Sequence, residues 1–375
     1  MIRPIHLKEA LRMYKRATAI TKNGFRQYNG TDEEICTQII DECYEKKYFR
    51  VSTGHFCEFY VRDFAFCCEA LITLGYSEQV RSTLQYALSI FKKNNRITTS
   101  ISPDGIPFDF PAYAPDSLAL FLLTLTRTKN DDLVRKDNNG AFLQSQINIF
   151  IEQVIDKTTV LPKKRRFSGI RDHAKRKGSC YDMVMIAVVA RESRLLGFDF
   201  PYTLEDITRT LLSTYWNGTY FFEDLQRQNI VVGDANVFPF WTGIIDDKEM
   251  MTDAFIAMQA ARLDAPFPLR YVNSLDKKRE GISLHLANMF AGDYETDSMW
   301  IHMGLCYMQL LTQINPALAK QHLAAYTRNI EKHKNFLEVY SNSAEPFRTA
   351  FYTCDEGMLW CANYLVLKNN MKNVN

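Results

Sequence analysis

Tyr60-Val61-Arg62-Asp63-Phe64, running on through the largely apolar Ala65 to Leu74 and closed by Gly75, decides how the rest of the chain is read. It has the form of a buried helix with a carboxylate at its mouth. Asp63 sits where the first, unpaired N–H groups of a helix and the positive end of its dipole favour a negative charge, and the apolar stripe behind it has to be enclosed.

Five later stretches repeat the design. They are Pro115-Asp116-Ser117-Leu118, Ser179-Cys180-Tyr181-Asp182, Asp234-Ala235-Asn236-Val237, Asp297-Ser298-Met299-Trp300 and Thr353-Cys354-Asp355-Glu356, each followed by an apolar run. From Asp63 through Asp116, Asp182, Asn236, Asp297 and Asp355 the steps are 53, 66, 54, 61 and 58 residues. A second, more amphipathic helix is expected between heads, over 78–93, 141–156, 204–215, 248–263 and 316–331. Ahead of the first head, His6 to Ala19 is amphipathic, and Thr31-Asp32-Glu33-Glu34 starts a capped helix that is expected to reach Lys47. Six buried and six half-exposed helices predict an all-α, (α/α)6 toroid in one domain over residues 1–375. Asn-Gly pairs never separate two alternating strands, although Asn217-Gly218 suits a small hairpin at the rim.

Composition narrows the partners. Among 375 residues, 45 basic and 43 acidic side chains leave a net charge of +2, so no global field favours nucleic acid or a membrane surface. Nine cysteines without a CxxC or a close Cys/His pairing argue against zinc and against a disulfide framework. No signal-peptide core and no run of about 18 uncharged apolar residues is present. The expectation is a cytoplasmic protein that needs no metal or other cofactor and has no membrane partner. Its oligomeric state is left open.

If the six heads share one mouth, the aromatics near them (Phe108, Phe110, Tyr113, Tyr181, Phe238, Trp241, Trp300, Tyr340, Tyr352) lie among Asp, Asn and Arg. Flat apolar faces beside paired hydrogen-bonding groups suit a sugar, a carbohydrate substrate being the expected partner; plain core packing is the alternative for any one of these rings.

The chain resembles the six-hairpin glycosidases, the (α/α)6-barrel superfamily of glucoamylases, the glucosidase domain of glycogen debranching enzymes, processing α-glucosidases and neutral/alkaline invertases. Tyr60-Val61-Arg62-Asp63-Phe64 looks like their aromatic-x-Arg-Asp-Phe motif, which carries the acid catalyst. Glu338-Val339-Tyr340 is similar to the Glu-Tyr-Tyr motif with the second carboxylate, and Met358 to Val366 resembles the last inner helix. Phe336-Leu337 replaces the tryptophan that precedes the second carboxylate in invertases, and Cys180-Tyr181-Asp182 replaces a tryptophan-rich run, so an α-glucoside, cleaved in the manner of debranching or processing glucosidases, is at least as well matched as the sucrose of an invertase-like enzyme.

The resemblance implies inverting hydrolysis of an α-glucosidic bond, with Asp63 as general acid and Glu338 as general base about 6.5–9.5 Å apart. A plain N-cap is the structural alternative for Asp63 and a solvated loop carboxylate for Glu338, with Glu345, Asp355 and Glu356 as rivals. The expected sugar-binding set is Arg62, Phe64, Asp116, Asp172, Asp182, Asn236, Trp300 and Tyr340; capping is the competing role for the polar members at helix heads. His302 reads as a core histidine. Arg171-Asp172-His173 is a candidate lid, and eight cations within residues 163–177 read as a solvated loop unless they face the pocket, where they would select an anionic group. A glycoside phosphorylase and a non-catalytic sugar-binding protein are the remaining alternatives. Epimerase and terpene-cyclase chemistries lack their paired histidines and DDxxD motif.

Overall fold

Helix α5 (Pro115–Arg127) buries every residue from Pro115 to Leu125, whereas α8 (Leu204–Tyr215) buries only Ile207, Leu211 and Tyr215. The first kind of helix is stable only when enclosed on all sides; the second needs one neighbour. The chain alternates the two. The structure, a computed structural model, describes residues 3–110, 112–172, 174–273, 292 and 294–372.

The inner helices are α3 (Val61–Thr73), α5, α7 (Cys180–Leu196), α9 (Gly233–Trp241), α11 (Ile301–Ile314) and α13 (Cys361–Lys372). Each packs on the next, and α13 returns to α3, closing the ring. Outside them lie α2 (Asp32–Cys43), α4 (Ser77–Lys93), α6 (Asn139–Val154), α8, α10 (Lys248–Ala260) and α12 (Pro316–His333). The expected all-α toroid of six inner and six outer helices is therefore present. Helix α1 (Pro4–Asn23) lies over the rim, where Arg12 pairs with Glu9 and Glu58 and Arg16 with Glu356.

Local chemistry sets the helix starts. Thr31 and Glu34 form the capping box of α2, Ser179 caps α7 by accepting from the Asp182 N–H at 3.0 Å, and Thr203, Asp247 and Asn315 cap α8, α10 and α12. Helix α2 ends at Cys43 instead of Lys47, because Tyr44–Glu45 (β1) turns back to pair with Tyr48–Phe49 (β2).

Two expected heads differ from helix starts. The last inner helix begins at Cys361, and the preceding segment is extended: Leu337 bridges Glu356 and Arg348 bridges Thr353, while Gly357 takes a left-handed turn (φ 64°). Asp355 and Glu356 are thus loop residues, since backbone pairing across the rim outcompetes a helical turn there. Likewise Met299–Trp300 (β6) pairs antiparallel with Val339–Tyr340 (β7), and α11 starts only at Ile301. A three-stranded ribbon of Phe59–Tyr60 (β3), Ser100–Ile101 (β4) and Pro107–Phe108 (β5) leads into α3. The rim hairpin at Asn217-Gly218 is present, with Trp216 bridging Phe221.

Gly304, one turn into α11, has no room for a side chain: a Cβ there would collide with the Pro268 carbonyl and the Tyr326 hydroxyl, which are themselves hydrogen-bonded at 2.7 Å. Gly304→Ala is expected to lower the unfolding free energy by about 1–3 kcal/mol in denaturant titration, as overpacking does.

Candidate active site

Asp63 is the third residue of α3 and 9% exposed. Burial pushes its carboxyl up to about 6, against the adjacent Arg62 and its own backbone N–H, and the nearby Asp116 adds to the rise; the Trp360 indole stands close by, its N–H without a hydrogen-bond partner among the described residues. Asp63 makes no ion pair among the described residues.

Arg62, next in chain, turns to the neighbouring head. Its guanidinium meets Asp116 Oδ2 at 3.0 Å and also donates to the Gly169 carbonyl, and the Tyr181 hydroxyl donates to the same Asp116 oxygen at 3.0 Å. Asp172 is half-buried within electrostatic reach of Arg62. Further round the ring, Arg176 pairs with Asp234 at 2.7 Å, and Asp182, pushed up to about 6 by burial against the pull of Arg176, accepts from Ser179 Oγ at 2.6 Å. The heads of α3, α5, α7 and α9 are thus stitched together by buried polar groups. One oxygen each of Asp116 and Asp182 is buried with no donor among the described residues.

Glu338, immediately before β7, is 1% exposed and held by three donors. Tyr294 Oη donates to Oε1 at 2.5 Å, Tyr352 Oη to Oε2 at 2.5 Å, and the Asp355 N–H to Oε2 at 2.8 Å. Burial, with the Asp355 charge adding, pushes the carboxyl up to about 8 despite these donors. Burial and the Glu338 charge raise both phenols well above their ordinary range, so they remain protonated donors.

An aromatic wall joins the two carboxyls. Trp360 stacks on His302 with centroids 4.9 Å apart, His302 meets Trp300 edge-on at 4.9 Å, Trp300 meets Tyr294 at 4.6 Å, and Tyr294 meets Tyr352 at 4.8 Å. His302 is indeed deep in the core, and burial drives its pKa far down, so its ring is neutral; its Nδ1 finds no partner among the described residues.

The other expected site residues divide. Trp300 lies in the wall and donates to the Tyr294 carbonyl at 2.6 Å. Phe64 packs against Phe49 and Phe59, Tyr340 against Phe267 and His333, and the Asn236 amide bonds the Phe221 N–H (2.7 Å), the Phe221 carbonyl (3.1 Å) and the Val232 carbonyl (2.9 Å). Among the rivals of Glu338, Asp355 accepts the His55 and Phe56 N–H groups at 2.8 Å each, Glu356 accepts from the Arg26 N–H at 2.6 Å, and Glu345 pairs at the surface with Lys332.

The basic run is not uniformly solvated. Arg171 and Arg176 are buried against barrel carboxylates, Arg171 meeting Glu223 at 2.9 Å, because a guanidinium can be enclosed where carboxylates and carbonyls satisfy it. His173 lies outside the described residues. Tyr294 escaped the sequence reading altogether, since a loop tyrosine three residues before a head has no periodicity to mark it. Among the described residues no group of three His, Cys, Asp or Glu side chains is arranged to hold a metal, and no helix is long and apolar enough to cross a membrane.

The raised Asp63 carboxyl has a consequence for stability. The unfolded chain ionises this group near pH 4 while the folded chain resists until about 6, so the folded state is penalised increasingly between those values and fully above them. Asp63→Asn is expected to raise stability by on the order of 2 kcal/mol at pH 7–8 and by nothing near pH 3, as read by denaturant unfolding at both pH values.

No family model matches the sequence, and no curated protein matches it. Solved structures do match. A rhamnosidase from Klebsiella oxytoca with rhamnose bound superposes with a TM-score of 0.60 at 9% identity, over 90% of this chain, which spans only 63% of that enzyme. A wild-type glycosidase matches with a TM-score of 0.60 at 11% identity over 99% of both chains. The GH63 mannosylglycerate hydrolase from Thermus thermophilus, in complex with Tris and D-glycerate, matches with a TM-score of 0.59 at 11% identity, over 90% of this chain and 100% of the other. At such identities the likeness is one of architecture: these glycosidases share the toroidal fold of six inner and six outer helices described above.

Proposed function

We propose that this protein is a glycoside hydrolase that cleaves an α-glucosidic bond in an oligosaccharide or small glucoside with inversion. The observation that carries the reading is the unequal treatment of two buried carboxyls on one aromatic wall. Asp63 has a raised pKa and no ion pair among the described residues, which suits a group that must hold a proton and give it to the leaving oxygen. Glu338 accepts three hydrogen bonds, which suits a group that must work as an anion.

In the step itself Asp63 protonates the glycosidic oxygen as the C–O bond breaks. A water attacks the anomeric carbon from the opposite face, and Glu338 takes its proton. Trp300 and Trp360 offer flat faces to the sugar ring, and the unpartnered oxygens of Asp116 and Asp182 are acceptors left for hydroxyls. Among the neighbours of the same fold, a glycosidase crystallised with glucose supports a glucosyl group, and the mannosylglycerate hydrolase supports a small glycoside. Phosphorolysis is the second reading. It is disfavoured because Arg62, Arg171 and Arg176 are each already paired with a carboxylate.

Asp63→Asn and Glu338→Gln are each expected to lower turnover of the true substrate at least a thousandfold, with circular dichroism unchanged, in a panel of α-glucosides, sucrose and β-linked disaccharides. Turnover indifferent to both changes would sink the assignment.

The reactive form, with Asp63 protonated and Glu338 ionised, is the minor one of the two singly protonated forms, on the order of one molecule in a hundred given values of about 6 and about 8. A bell-shaped kcat/KM profile with limbs near 6 and 8 is expected. Tyr352→Phe removes a donor that favours the Glu338 anion, so it should move the upper limb to higher pH; a lower or unmoved limb would refute the base role of Glu338.

A further inference from the structure

The basic run 163–177 includes a cation that the barrel does not absorb. Lys163 bonds the Glu152 carbonyl, Arg165 the Gln153 side chain, and Arg166 the Asp172 carbonyl, while Arg171 and Arg176 enter the mouth. Lys164 forms no hydrogen bond or ion pair among the described residues, and it lines a cleft of about 560 Å³ on the outer rim, between the loops that follow α6 and α8. That volume falls in the range of small-molecule sites. None of the lining residues belongs to the groups around Asp63 and Glu338.

Both walls of the cleft are built by tight turns. On one side Ile155 bridges Pro162, the Asp156 N–H donates to the Leu161 carbonyl at 2.9 Å, and Asp156 Oδ1 accepts the Thr158 and Thr159 N–H groups at 3.0 and 3.2 Å. On the other, buried Asp224 receives the Lys177 N–H and the Gln226 N–H, both at 2.8 Å, and the Arg227 N–H donates to the Asp224 carbonyl at 3.1 Å. Each wall also holds a non-glycine residue in the left-handed region, Val160 at φ 61° and Arg227 at φ 50°. A β-branched residue there is a true outlier, of the kind that collects at ligand clamps. The Arg227 guanidinium has only one long contact, to the Ser213 carbonyl at 3.4 Å, and Arg227 lines the cleft.

The lining supplies three kinds of contact. Lys164 and Arg227 are two cationic residues lining one cavity, a pairing that suits a phosphate dianion. Thr159, Thr214 and Asp156 offer hydroxyls and a carboxylate for sugar hydroxyls, and Leu161, Pro162 and Leu225 form an apolar face for sugar C–H groups. We propose that this cleft is a second ligand site, separate from the catalytic mouth, that binds a phosphorylated monosaccharide.

Calorimetric titration of the full chain with glucose 6-phosphate, with glucose and with inorganic phosphate tests this. Glucose 6-phosphate is expected to bind at least tenfold more tightly than either fragment. The Lys164→Ala, Arg227→Ala double variant should lose at least tenfold in affinity, and Asp63→Asn should leave it unchanged. Arg227→Gly guards against misfolding, since glycine accepts the left-handed turn while the side chain and its cation are removed; it too should weaken binding while the unfolding midpoint holds or rises. No binding up to about 10 mM, inorganic phosphate as tight as the sugar phosphate, affinity indifferent to Lys164 and Arg227, or affinity lost with Asp63→Asn would each overturn the proposal.

Discussion

A ring of helices enclosed on every side leaves its ends for charged side chains, and the rest of this structure depends on that restriction. Along α5 and α7 the walls are continuous apolar contact, and the acids stand in the first turn, where unpaired N–H groups and the dipole offset part of the cost of burying a carboxylate. Asp63, Asp116, Asp182 and Asp234 follow the same rule on four successive inner helices. Charge therefore accumulates at one end of the barrel.

Those acids receive different treatment: burial raises Asp63 and Asp182 alike to about 6, whereas two others are held in ion pairs. Asp116 and Asp234 are neutralised by Arg62 and Arg176. Asp63 has no such partner among the described residues, and its position beside Trp360 leaves desolvation as the dominant influence. Glu338 reaches the same wall from the far end of the chain. Asp355 draws that segment in by binding the backbone of His55 and Phe56, and Leu337 pairs with Glu356, so the loop before the last inner helix is fixed to the loop before the first. The contacts that fix the last inner helix beside the first also hold Glu338 in place.

Much of the fold was legible because burial leaves a periodic trace. The outer helices 204–215 and 248–260 begin at their expected residues, since caps and amphipathic stripes are local. The two heads read wrongly as helix, around Asp297 and Asp355, lie beside backbone pairings such as Met299 with Tyr340 and Leu337 with Glu356, 41 and 19 residues apart, and pairing of that kind leaves no helical period to read. The same limit hid Tyr294, and it concealed that Phe64 and Tyr340 pack into the core, against Phe59 and Phe267, and that Asn236 clamps the backbone of Phe221.

The sequence by itself determined the alternation of inner and outer helices, their burial, and the carboxylate in the first turn of four inner helices, because apolar period and capping chemistry act over a few residues. Only the tertiary structure decided which carboxyl keeps a raised pKa and which is neutralised, that two arginines of the basic run enter the mouth while Lys164 stays on the rim, and that Tyr294 and Tyr352 converge on Glu338. Those outcomes are set by through-space electrostatics and by hydrogen bonds between segments 44 and 14 residues apart in the chain, which no local pattern encodes.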